Sequence, residues 1–146
     1  MESFELLAAV LVLLSMLCLG TVAHELAHAS VLHVLGVPYD IEWLPDRGSG
    51  TVYNVGIFGT WATVTPRSIP PEVSPWGLRL SALAPLGLAA PLVLVFVGVL
   101  PDPLSSTNPV HVVGTVTWLA FALPSPRDFS LFWYADRVLE TYEPSE

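Results

Sequence analysis

Residues 6–23 form an uninterrupted apolar run without one charged side chain, and the run ends in His24-Glu25-Leu26-Ala27-His28. As a helix it covers about 27 Å, close to the hydrocarbon thickness of a bilayer, about 30 Å. Three ionisable groups therefore fall near the far boundary of the bilayer core. Such groups are costly there, and their usual justification is function. On a helix His24 and His28 project from one face, a turn apart. Two imidazoles so placed can bind one zinc ion, with Glu25 beside them as the base that removes a proton from the attacking water. The competing reading is an amphipathic helix end with two interfacial histidines. The cost of burying all three groups weighs against it.

The rest of the composition agrees with a membrane protein. Charged residues make up 12% of the chain, against an ordinary share of about 25%, and the mean hydropathy is +0.62. With 146 residues there is room for one domain, spanning 1–146. The charges are 13 acidic residues against five arginines and no lysine. No basic face is available to neutralise phosphate, so no nucleic-acid partner is expected. The single cysteine, Cys18, excludes an internal disulfide, and its place in the apolar run predicts a packing role. Residues 1–5 are too few and too acidic for the positive start of a signal peptide, so the first span is expected to persist in the mature protein.

Taken in order, the first helix can continue over 6–35 until Gly36, a natural C′ residue, with Pro38 blocking another turn. His33 lies five residues beyond His28 and turns away from the ligand face. A β-rich loop occupies 39–75. Within it 51–64 (TVYNVGIFGTWATV), from Thr51 to Val64, predicts two short strands bent at Gly56 and Gly59. Pro66, Pro70, Pro71 and Pro75 then predict an extended linker. A second span is expected over 78–100, with Arg79 reaching the interface, and Pro85 and Pro91 tolerable where neighbours satisfy the freed carbonyls. The third apolar stretch, 110–123, rises only about 21 Å and breaks at Leu123-Pro124-Ser125-Pro126-Arg127-Asp128. Irregular backbone at that depth survives only under a protein cover or beside a wet cavity. The acidic tail, 135–146, is expected to be interfacial or disordered.

The fold class that follows is membrane, mainly α: three transmembrane helices with a small β-rich, membrane-associated loop between the first and second. Arg47, Arg67, Arg79, Arg127 and Arg137 fall on or beside one side of such a bundle. The positive-inside rule then predicts a multi-pass protein of the cell membrane with its N-terminus outside and its long loop, C-terminus and histidines at the cytoplasmic end. The proline break with Asp128 closes the third span on the same side as the histidines, at similar depth, so Asp128 can meet them.

This order of parts resembles the site-2 protease family of intramembrane zinc metalloproteases: an HExxH closing the first span, a β-rich loop, a second span, and a third ending in Leu-Pro and an Asp. The similarity covers nearly the whole chain and implies a minimal three-helix catalytic core. It implies one zinc ion held by His24, His28 and Asp128, Glu25 as the general base, and a substrate that is itself a membrane protein. Ala84-Pro85-Leu86 is similar to the small-Pro-Leu opening of the family's middle helix. In the second motif only three residues separate Pro124 from Asp128 where the family has four, Phe129 stands in place of a Gly, and no Asn lies nearby. The alternative within the same fold is an inactive protein that binds metal or a client, which has no need of Glu25. A transporter would place further charges in the middle of the second and third spans, and none is present.

Overall fold

The uncharged run folds into one helix, α1 (Ser3–Val34), in the computed structural model, which describes residues 3–43 and 62–142. Its end follows from one glycine. Gly36 sits at φ 69°, where a side chain would be strained. Its amide donates to the His33 carbonyl at 3.1 Å and that of Val37 to Leu32 at 2.9 Å, the paired bonds of a Schellman ending. Val37 and Leu32 are both buried, so the turn also starts the core.

Strands β1 (Tyr39–Trp43) and β2 (Ala62–Pro66) pair antiparallel, with Ile41 opposite Val64. The sequence placed both strands within 51–64; the structure places one before that stretch and one at its end, and 51–61 lie outside the described residues. β1 carries acidic residues at 40 and 42, which hid it from a reading by β-branched content. Arg67, just past β2, holds Asp40 in an exposed ion pair that keeps the carboxyl below its usual range.

Three of the remaining helices share one start signal. Ser74, Asn108 and Ser125 each precede a proline, and their side-chain oxygens accept from the exposed amides of α2 (Pro75–Leu83), α4 (Pro109–Ala122) and α5 (Pro126–Tyr142). A cap followed by proline at the first helical position begins a helix rather than breaking one. A 3-10 stretch, Ala84–Ala89, joins α2 to α3 (Ala90–Phe96). The tail thus differs from the expectation: α5 runs to Tyr142 and buries Ala135 completely.

Ser3–Val34 and Pro75–Phe96 are long and apolar enough to cross a membrane. α1 leaves Leu7, Leu11 and Leu14 more than half exposed, a surface suited to lipid rather than water. α4, at 14 residues, is shorter than a full crossing, so the described helices provide two candidate spans where the sequence suggested three. α1 and α4 approach closely through small residues. A Cβ added to Gly20 would overlap the Phe121 ring, and one on Gly114 would lie 3.3 Å from Val12. Apolar helices associate through such close contact, since lipid offers no hydrophobic drive between them. Cys18 is exposed and does not pack, contrary to expectation. The apolar core lies at one end of the bundle, where Leu32, Val37, Val73, Leu78 and Ala135 pack beneath the sheet and α5. Arg79 fastens α2 to α5, donating to Asp136 at 2.6 Å and to the Phe132 carbonyl at 3.2 Å.

Candidate metal centre

Beside that core α1 presents His24, Glu25 and His28 to a cavity of about 570 Å³. The two histidines share a face, as their spacing requires, and are largely buried. Their rings stand edge to face with centroids 4.9 Å apart. Asp128 arrives from α5. Its position is set by a capping box: its carboxylate accepts from the Ser125 amide at 2.6 Å, while Ser125 Oγ accepts from the Asp128 amide at 3.3 Å. The proline break in the sequence is therefore the device that turns the chain and aims the carboxylate.

The ring nitrogens define the chemistry. His24 Nδ1 lies 2.8 Å from the Phe121 carbonyl and His28 Nδ1 lies 2.7 Å from that of Ser81. A carbonyl only accepts, so each Nδ1 carries a proton and each ring turns its Nε2 towards the cavity. The two Nε2 atoms are 3.3 Å apart. The Asp128 oxygens lie 3.4 Å from His24 Nε2 and 3.2 Å from His28 Nε2. Nitrogen and oxygen ligand atoms from three side chains thus converge, and each Nε2 can carry either a proton shared with Asp128 or a bond to a metal ion. Ligands bonded tetrahedrally at about 2.0–2.1 Å to one ion stand about 3.3 Å apart, which is the spacing of the two Nε2 atoms, while the two Asp128 distances run to different carboxylate oxygens. Among the described residues, His24, His28 and Asp128 form the group that could hold a metal ion, their ligand atoms all within 4.8 Å of one another. Burial alone would push the Asp128 carboxyl up. The His24 and His28 contacts and the Ser125 amide outweigh it and hold the group well below the usual carboxylate range, ionised as a ligand must be.

Glu25 is not part of that group. It lines the same cavity one residue from His24, half-buried, with its carboxylate towards the Val64 backbone amide of β2. Of the stretch 51–64, Ala62, Thr63 and Val64 are described, and all three line the cavity. Arg127 lines it too and bonds Thr63 Oγ1 at 3.1 Å, tying α5 to β2. His33 is exposed and points elsewhere.

The Ser81 and Phe121 carbonyls went unread in the sequence, although a signal for one was present. Pro85 stands four residues after Ser81 and so removes its usual helical donor. The end of α4 does the same for Phe121, whose carbonyl belongs to the last turn and lacks a helical partner. No family model, curated protein or solved structure matches this chain.

Proposed function

We propose that this chain is an intramembrane zinc endopeptidase of the site-2 protease kind, hydrolysing peptide bonds of membrane-embedded or membrane-adjacent proteins. One arrangement supports the reading: three side chains able to ligate a metal, His24, His28 and Asp128, bring their ligand atoms within 4.8 Å of one another beside Glu25 in a cavity bordered by a strand. Two imidazoles and a carboxylate suit zinc, whereas magnesium and calcium prefer shells of oxygen. When bound, zinc would supply Lewis acidity to the scissile carbonyl and to water. Glu25 would take the water proton on its carboxylate and deliver it to the leaving amine nitrogen. A helical substrate hides its backbone and must be opened before attack. Among the described residues β2 is paired along one edge only, and its residues border the cavity, so it can take an unwound segment as an added strand. The purified protein should carry one zinc per chain and His24→Ala should carry none. A wild type that stays metal-free after incubation with zinc overturns the reading.

The cytoplasmic placement of the site rests on the five arginines and is tested by labelling. In a Cys18→Ser background, cysteines at Ser49 and Ser145 should resist an impermeant thiol reagent in intact cells, and one at Ser105 should react. Reaction at Ser49 would reverse the orientation.

A further inference from the structure

We infer that Pro85 is a positioning residue for the metal centre: by lacking an N–H it leaves the Ser81 carbonyl open to the Nδ1–H of His28. The inference rests on the reading of His28 as a ligand. In an unbroken α-helix the amide of residue 85 would bond the carbonyl of residue 81. Proline has no such amide, and its ring clashes with that same carbonyl, so the chain tightens into the 3-10 stretch Ala84–Ala89. The Ala84 amide then donates to the Ser81 carbonyl from three residues away. The oxygen's second lone pair accepts from His28 at 2.7 Å.

Burial makes this contact consequential. Ser81 is 2% exposed and Pro85 is among the fully buried side chains. Water is therefore poorly placed to replace either partner, and an unpaired polar group at this depth is costly. The carbonyl fixes His28 in the tautomer that presents Nε2 to the metal, and it fixes the ring's orientation. A residue with an N–H at position 85 would compete for the same oxygen and favour a regular helix. His28 would then lose the partner that holds it. Pro91, in the same span, offers a matched comparison. Its ring is exposed, and the carbonyl four residues before it belongs to Gly87, which does not line the cavity.

The experiment compares zinc affinity, by competition with a chromophoric chelator in micelles, for wild type, Pro85→Ala and Pro91→Ala. Pro85→Ala should weaken binding by about 10- to 100-fold, the usual cost of losing an outer partner of a ligand. Pro91→Ala should leave it unchanged. Placing the α-hydroxy analogue of alanine at position 85, which has an ester oxygen where the N–H would be, should restore most of the affinity. Equal affinity for Pro85→Ala and wild type would overturn the inference, as would an ester variant no better than Pro85→Ala. Should Pro85→Ala fail to fold, imidazole nitrogen NMR of the zinc-free wild type decides. His28 is expected as the Nδ1–H tautomer, and an Nε2–H tautomer overturns the inference. Loss of zinc on His24→Ala with no effect of Pro85→Ala would reject Pro85 and leave the metal site standing. A wild type without zinc would reject both.

Discussion

Glu25→Gln is expected to leave zinc bound and to lower peptide cleavage by about 10²- to 10⁴-fold, the usual contribution of a positioned general base. The two halves of that expectation have separate grounds. Metal retention follows because Glu25 lies outside the group formed by His24, His28 and Asp128. Loss of rate follows because glutamine has the shape of glutamate and can accept a hydrogen bond from the Val64 amide, but cannot take a proton from water at neutral pH. The substitution thus removes one function and spares the packing. Zinc content and cleavage of a transmembrane peptide substrate, measured on the same preparation, check it. Cleavage at the wild-type rate would sink Glu25 as the base. A zinc-loaded wild type that cleaves no membrane substrate would favour the inactive, metal- or client-binding alternative.

Much of this site was legible because its parts obey local rules. The helix over residues 6–23 needed only hydropathy, and its end at Gly36 needed only the left-handed turn that glycine allows. The shared face of His24 and His28 is helical geometry. Asp128 was reachable by counting spans, even though α4 at 14 residues is short of a full one.

The misreadings came from signals that have two meanings. Pro126 was taken only as a breaker, yet a proline after Ser125 also starts a helix. The apolar positions of α5, Leu131, Ala135, Val138 and Leu139, recur at helical spacing and pack in the core. The acidic residues between them hid that stripe. β1 was hidden in the same way, since a two-stranded sheet with one face outward tolerates charges on alternate positions. The carbonyls of Ser81 and Phe121 belong to another class. A proline four residues on, as Pro85 is to Ser81, can mark a freed carbonyl, but only the packing of α1 against its neighbours shows which oxygens face a histidine.

Asp128→Ala should lower zinc affinity by more than the 10- to 100-fold, roughly, that outer-shell changes cost, because a catalytic zinc ordinarily takes three protein ligands and Asp128 is the third in the function proposed above. Alanine, however, removes two things at once. The same carboxylate closes the capping box on Ser125 that begins α5, and losing a cap alone costs about 0.5–2 kcal/mol. Asp128→Asn separates them: an amide oxygen can still accept from the Ser125 amide, while the negative charge that balances the metal is gone. Asn should therefore keep the helical signal and the thermal midpoint near wild type and still lose most of the zinc affinity. Asp136→Ala is the opposite control. Asp136 pairs with Arg79 further along α5 and does not line the cavity, so its loss should loosen the junction of α2 with α5 and leave zinc affinity unchanged. If Asp128→Asn binds zinc as tightly as wild type, the carboxylate is a helix cap that happens to face two histidines, and the third ligand must be sought elsewhere.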